Sequence, residues 1–430
     1  MKKLWMIACM ALLLAACDKI NDDPKDPDIA ERTVMIYMIG DNNLTSYVQT
    51  DISELIQGAG DIPTNGVLVL YVDKKASEKP FIAKVTNNQK QPLDTLYKYT
   101  QEEFYDSDPN AFSSILQRMQ QLCPAREYGL VLWGHASGWV VTSDTIAGKQ
   151  SSPRRAYGLD TNNNNSNYWM NITQMAKALK TIKPHFIFAD CCNMMCVEVG
   201  YELKDVTDYL IGSPAEIPGY GAPYKEMVPQ LFKNGPALYK GIIDTYYDYY
   251  SDPTHISSED KKTWPYMKSG EYSVPLSVID TKYIGELAYR THDILKDDSY
   301  PHYPEQPDLE SIPFYYGYTT PLMYDMRASI QRLASSDDFK LWDAAFQNAV
   351  PYYRMSMKWM TIFNGFESYN LIAAFNKFDT SLKDECGCVS MFFPMLGNGY
   401  EYGVPHYPAY NNTSTNFIWN QVIDWKRFGW

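Results

Sequence analysis

Two short apolar runs, Tyr128 to Trp133 and Phe186 to Ala189, each end at reactive residues. The first leads into Gly134, His135 and Ala136, and the second into Asp190, Cys191 and Cys192. Unbroken aliphatic and aromatic runs of this length read as strands buried on both faces of an α/β sheet. Runs at 33–40, 67–73 and 209–213 predict three further strands. Between them, Leu44, Val48, Ile52, Leu55 and Ile56 recur at helical spacing until Gly58. After Asp108 and Pro109, a cap and a first-turn proline, Phe112, Ile115, Leu116, Met119 and Leu122 define a second helix. A third runs from Asn171 to Ile182, and a fourth from Met194 to Asp205 with Glu198 and Glu202 on its exposed face. Residues 81–100 alternate as a hairpin turning at Asn87 and Asn88.

Strand alternating with helix implies an α/β fold with a largely parallel central sheet and helices on both faces. After about residue 250 the pattern loosens into a mixed α+β C-terminal region. There 272–279 and 388–394 read as strands, and 280–296, 320–334, 336–361 and 413–428 as mainly helical. No internal repeat is visible.

The N-terminus changes the picture. Lys2 and Lys3 precede an apolar stretch, and Leu14-Ala15-Ala16-Cys17 closes it, so residues 1–16 read as an export signal. The closing residues resemble the lipobox of bacterial lipoproteins, which implies lipidation of Cys17 and a place in the bacterial cell envelope, membrane-bound through the lipid. Residues 17–32 are acidic and proline-broken, a tether rather than a core. The reading then divides the chain into 33–250, carrying the chemistry, and 251–430, packed on it. A net charge of −13 argues against nucleic acid as a partner. Setting aside Cys9 in the signal and Cys17 at its end, there are six cysteines, at 123, 191, 192, 196, 386 and 388. None falls at zinc-site spacing, so no metal ligands are assigned; a Cys386–Cys388 bridge stays open.

In open α/β sheets, ligands bind beyond the carboxyl ends of the strands, where His135 and Cys192 both fall. A cysteine attacks a carbonyl as thiolate, and a histidine beside it takes the proton and returns it to the leaving amine. Cys192 falls where a strand hands over to a helix, whose N-terminus would lower its pKa, and backbone N–H groups near Cys192 and in the Gly134–Gly138 turn could hold an oxyanion. Asp190, two residues before Cys192, would project to the same face and suits a cationic substrate side chain. Glu216, in the turn after the fifth strand, could line the same pocket. The stretch 140–167 is long and polar, with Lys149, Arg154 and Arg155 its only basic residues.

These residues carry a resemblance. Trp133-Gly134-His135-Ala136-Ser137-Gly138-Trp139 resembles the histidine motif of the clostripain family of cysteine peptidases, and Asp190-Cys191-Cys192 its aspartate-x-cysteine motif. Gly40 to Leu44, Val389 to Pro394 and the segment from Asn416 are similar to other family elements, so the match runs from about residue 33 to the end. The resemblance implies a caspase-like fold and a cysteine endopeptidase with His135 as base and Cys192 as nucleophile. It further implies cleavage of proteins or peptides after Arg or Lys, with Asp190 in the P1 pocket. Activation by internal cleavage, here within 149–156, follows from it too. No cofactor is required by that reading; calcium dependence occurs within the family, and acidic loops here could bind it, although no EF-hand spacing is present. Two departures stand out: Ala136 where the family has glycine, and Cys191 where it has alanine. A catalytically silent lipoprotein that keeps the fold as a binding module is the alternative.

Overall fold

A computed structural model describes residues 29–75, 77–100, 106–140, 156–160, 168–252, 254–255, 274–296, 312–317, 321–355, 359, 384–394, 400–401, 404–405 and 416–425. Cys17 and the export signal lie outside these residues, as do Lys149, Arg154 and Arg155.

The order of elements follows the hydrophobic pattern closely through residue 251. Strand β1 (Ala30–Ile39) leads through helix α1 (Thr45–Gln57) to β2 (Gly66–Asp73) and the hairpin β3 (Phe81–Val85) and β4 (Leu93–Lys98). Helix α2 (Pro109–Leu122), capped by the Asp108 side chain on Asn110 N and Ala111 N, delivers the chain to β5 (Ala125–Trp133). A two-stranded ribbon, β6 (Tyr157–Asp160) and β7 (Tyr168–Met170), precedes α3 (Ile172–Leu179), whose Asn171 and Gln174 form a capping box. Then come β8 (Phe186–Asp190), α4 (Val197–Leu203), β9 (Tyr209–Gly212), α5 (Tyr224–Met227) and α6 (Pro236–Ser251).

Among the described residues the main sheet has nine strands. Among them β9, β8, β5, β1 and β2 lie side by side in that order and run parallel. The antiparallel strands β3 and β4 extend it at one edge. At the other edge it is extended by β10 (Leu276–Asp280) and β13 (Tyr352–Arg354). From β1 the chain proceeds outward to β2, then returns to place β5, β8 and β9 on the opposite side. The connection order therefore reverses at β1, and the crevice beside it is where such sheets bind ligands.

Strand side chains alternate between two cores. Met35, Tyr37 and Ile39 of β1 pack with α2, α3 and α4 on one face, whereas Val34, Ile36 and Met38 pack with α1, α5 and α6 on the other. Both faces are dry, which is why these strands read as continuous apolar runs.

The C-terminal region departs further from expectation. Because β10 and β13 complete the central sheet, a boundary near residue 250 does not divide the structure into independent halves. The stretch 320–334 begins as a strand, β12 (Pro321–Asp325), paired with β11 (Phe314–Gly317) and β14 (Ser390–Met391), and only then becomes helix α8 (Met326–Leu333). Helix α9 (Ser336–Ala349) stops before β13, so 336–361 is not helical throughout. The strand expected over 388–394 shortens to β14. Helix α7 (Ile284–Leu295) and the closing helix α10 (Ile418–Ile423) lie within their predicted spans. Among the described residues the first strand begins at Ala30, inside the span read as tether.

One polar face was misread. Glu198 is fully buried, and its carboxylate accepts the Phe392 N–H at 2.8 Å. Glu202 accepts the Ile418 N–H at 3.2 Å. The face of α4 that looks solvent-exposed in a helical projection is the one on which the C-terminal region docks. No disulfide joins the described cysteines, Cys386 and Cys388 included.

Candidate active site

Strands β5 and β8 are neighbours, and their register pairs Trp133 with Asp190. His135 and Cys192 each lie two residues beyond that pair, so adjacent parallel strands, separated by about 4.8 Å, deliver both to the same edge. Two interlocking turns hold them there. The His135 carbonyl accepts the Gly158 N–H at 2.9 Å, and Ser137 N–H donates to the Ala156 carbonyl at 2.9 Å, tying the histidine turn to β6. Asn193 takes a left-handed conformation, φ 60°, and its N–H reaches the Ala215 carbonyl at 3.0 Å. Met195 accepts from Ser390 N–H and donates to the Ser213 carbonyl, each at 3.0 Å, so the cysteine turn is pinned by both β9 and the C-terminal region.

Gly138 joins the two turns. At φ 60°, a β-carbon there would overlap the Asn193 carbonyl oxygen and sit 3.0 Å from Cys196 Sγ. Ala136 is different: outside glycine, positive φ among the described residues occurs only at Lys183, Asn193, Cys388 and Asp424. Alanine is therefore unstrained at 136, and this departure from the family pattern does not argue against catalysis.

The imidazole is oriented by a residue the sequence reading left without a role. His135 Nε2 lies 2.6 Å from Asn43 Oδ1, in the loop after β1. A carboxamide oxygen only accepts, so Nε2 carries the hydrogen and Nδ1 is the basic nitrogen. Burial lowers the imidazole pKa to about 4. Cys192 is half-buried, and its sulfur accepts the Ile217 N–H at 3.4 Å. Burial, with Glu216 and Asp190 adding negative charge, pushes its pKa up to about 12, the Ile217 contact pulling the other way. The expected helix N-terminus does not stand behind it: α4 begins at Val197, and the turn 191–196 intervenes. Both shifts favour the neutral forms, thiol and imidazole, in the substrate-free protein.

The two candidate P1 carboxylates occupy unlike positions. Asp190 is the last residue of β8 and, by strand alternation, lies on the face of Phe186 and Phe188. Its carboxylate is buried and accepts from Tyr224 Oη at 2.7 Å, Ala222 N at 3.0 Å and Tyr246 Oη at 3.1 Å. Burial raises its pKa and these hydrogen bonds hold it down. The alternation rule does not extend to Cys192, because the strand has ended. Glu216 is half-buried, stands electrostatically close to Cys192, and makes no hydrogen bond or ion pair among the described residues; burial moves its pKa to about 8. Beneath them, Trp133 Nε1 donates to buried Asp51 at 2.6 Å, which fixes the end of β5.

A histidine and a cysteine beyond the ends of adjacent parallel strands, one strand away from where the sheet reverses its connection order, fit a cysteine hydrolase of caspase-like architecture. The model of the clostripain family matches residues 36–387. The chain belongs to that family of cysteine peptidases.

Solved structures agree over nearly the whole chain. One is a secreted C11 cysteine protease from Bacteroides thetaiotaomicron in complex with an irreversible peptide inhibitor. It is 26% identical, with 92% of this chain and 99% of that chain covered at a TM-score of 0.69. Another is an inactive zymogen C11 protease from Parabacteroides distasonis, 24% identical, covering 92% and 99% at a TM-score of 0.67. No curated protein matches the chain.

Proposed function

We propose that this protein is an exported, lipid-anchored endopeptidase that cleaves proteins and peptides after arginine or lysine, with Cys192 as nucleophile and His135 as base. The observation that carries this reading is the register of β5 against β8, which puts both residues at one sheet edge. Substrate binding brings the scissile carbonyl to the thiol, and His135 Nδ1 takes the proton as sulfur bonds to carbon. The imidazolium then protonates the leaving amine, and water attacking the thioester releases the acid. Asn43 is a positioning residue that keeps Nδ1 the basic nitrogen. The Cys192 N–H and the Ala136 N–H are the backbone groups suited to the oxyanion, since Ser137 N–H is engaged by Ala156.

Negative charge at P1 comes from Glu216 at the surface and Asp190 below it. A basic side chain meets the unpartnered Glu216 carboxylate first, and the Asp190 carboxylate, held by two tyrosines, adds to the field beneath. The same specificity turned on the chain itself would cut at Lys149, Arg154 or Arg155. Export through residues 1–16 and lipidation at Cys17 are supported by the lipobox, and a related protease is described as secreted.

The test is a panel of fluorogenic peptides varied at P1, run on wild type and on Asp190→Asn and Glu216→Gln. Arginine and lysine should be preferred, and loss of a charge-assisted contact should lower that preference by about 10²-fold in at least one variant. A preference for neutral P1 residues would overturn the specificity. Wild type should also separate under denaturing conditions into fragments divided within 149–156, while Cys192→Ala stays whole.

A further inference from the structure

The loop that links the nucleophile to the buried Asp190 carboxylate also carries an aromatic side chain. At one end of it, Ile217 N–H lies 3.4 Å from Cys192 Sγ; at the other, Ala222 N–H donates to Asp190 at 3.0 Å. Between them, Gly221 passes so close to Asp190 that a β-carbon there would stand 2.8 Å from Oδ2. Tyr220, the residue before it, is exposed at 36%, whereas Asp190 is exposed at 3%. A tyrosine thus leaves the chain one residue from the carboxylate and on its solvent side.

A second ring meets it from the histidine side. Tyr47 stands in the first turn of α1, shortly after Asn43, the residue that contacts His135. Its ring centroid lies 5.0 Å from that of Tyr220, with the planes at 75°, an edge-to-face pair. Gly219 lets the two loops close: a β-carbon there would be 3.1 Å from Tyr47 Cε2 and 3.6 Å from Leu44 Cδ2. Leu44, Tyr47 and Ile217 are half-buried on the core that α1 and α5 cover. The loop itself is fixed, since Gly221 N–H donates to the Pro218 carbonyl at 3.0 Å and Tyr250 Oη to the Gly221 carbonyl at 2.8 Å. The result is a preset apolar wall between the segment that orients the histidine and the one that touches the cysteine.

Asp190 is poorly placed to grip a substrate cation directly, because it is buried and its oxygens already accept from Tyr224, Ala222 and Tyr246. Direct contact falls to whatever stands over it. A basic side chain is apolar along its stem and charged at its tip, and an aromatic face attracts a cation within about 6 Å of the ring centre. We infer that Tyr47 and Tyr220 wall the P1 pocket and hold the substrate's basic side chain, its stem against the rings and its cation over a ring face, with Asp190 supplying charge from below. The inference rests on the P1 reading above and names the residues that make the contact.

The two tyrosines have different parts. Tyr220, nearer the carboxylate and more exposed, sets specificity; Tyr47 is a positioning residue that holds its ring by the edge-to-face contact. A guanidinium is planar and weakly hydrated, so it stacks on a ring more favourably than a compact ammonium, and arginine gains more from this wall than lysine.

The test measures kcat/KM for peptides with arginine or lysine at P1 in wild type, Tyr220→Leu, Tyr220→Phe and Tyr47→Leu, at equal extents of internal cleavage. Tyr220→Leu keeps apolar bulk but no ring face, and should lose about three- to thirtyfold on arginine peptides, chiefly through KM, and less on lysine peptides. Tyr220→Phe keeps the face and should stay within about twofold of wild type. Tyr47→Leu should shift the same ratio, yet add little to Tyr220→Leu, since it acts through that ring. Alkylation of Cys192 by iodoacetamide reports the catalytic pair without using the P1 pocket, and its rate in Tyr220→Leu should match wild type. A changed alkylation rate would assign Tyr220 a merely structural role and overturn the inference. So would wild-type turnover of arginine peptides by Tyr220→Leu, or a loss in Tyr220→Phe equal to that in Tyr220→Leu. Should Tyr220→Leu fail to fold, Tyr220→Phe and Tyr47→Leu still decide between a ring-face contact and none. A wild type that prefers neutral P1 residues sinks the basic-residue reading and this inference with it; intact preference for arginine and lysine with no effect in the tyrosine variants sinks this inference alone.

Discussion

Gly138→Ala probes how closely the two halves of the active site are locked together. The substitution carries two costs that can be separated. An L-residue at φ 60° costs roughly 1–2 kcal/mol. The added methyl also overlaps the Asn193 carbonyl oxygen and crowds Cys196 Sγ at 3.0 Å and Met323 Cε at 3.1 Å, and forced overpacking of this kind costs about 1–3 kcal/mol. The Met323 methyl can swing aside, but Asn193 O is backbone, so the turn carrying Cys192 must shift. Together the loss is roughly 2–5 kcal/mol. Displacing the nucleophile by about an ångström costs about 10²-fold in kcat/KM. Gly235→Ala gives a comparison without overlap: φ there is 51° and ψ −135°, and a β-carbon meets nothing within 4 Å, so any loss is conformational. Urea denaturation of both variants and peptide turnover by the first give the comparison. If Gly138→Ala loses no more stability than Gly235→Ala and cleaves like wild type, the two turns are not coupled through this glycine.

Two further outcomes follow from the burial of Glu198 and from the shifts at Cys192 and His135. Burial moves Glu198 to about 7; the folded state therefore holds this proton more tightly than the unfolded chain, and wild type loses stability as pH rises from about 4.5 through 7. Glu198→Gln keeps an acceptor for Phe392 N–H and should remove about 3 kcal/mol of that loss in denaturant titrations at pH 5 and 8; an identical pH dependence in both proteins would refute it. With Cys192 near 12 and His135 near 4, alkylation of Cys192 by iodoacetamide should climb about tenfold per pH unit from 6 to 9, and a plateau across 5 to 8 would reveal a preformed thiolate.

The parallel core was legible in the sequence because both of its faces are dry. Continuous runs such as 33–39 admit few other readings, and helices with one apolar stripe, such as α2, announce their buried side. What failed was what depends on distant partners. Glu198 looks solvent-facing on its own helix and is buried only because residues near 392 and 418 return to cover it. The segment 321–325 became a strand because residues 390–391 and 314–317 pair with it, long-range contacts that override local propensity. At the site, motif spacing located His135 and Cys192. Asn43, Tyr224 and Tyr246 carry no local signal, being brought to the histidine and to Asp190 by the fold. The thiol environment was misjudged for a related reason: the strand was expected to hand over directly to a helix, and a six-residue turn held by β9 and β14 stands between them.

The most direct measurement of the central claim is to treat the purified protein with an irreversible thiol-reactive peptidomimetic ending in arginine and map the adduct by mass spectrometry. The account requires one adduct, on Cys192, with labelling abolished in Cys192→Ala and strongly slowed in His135→Ala. An adduct on Cys191, or peptide cleavage that survives in Cys192→Ala, would contradict it.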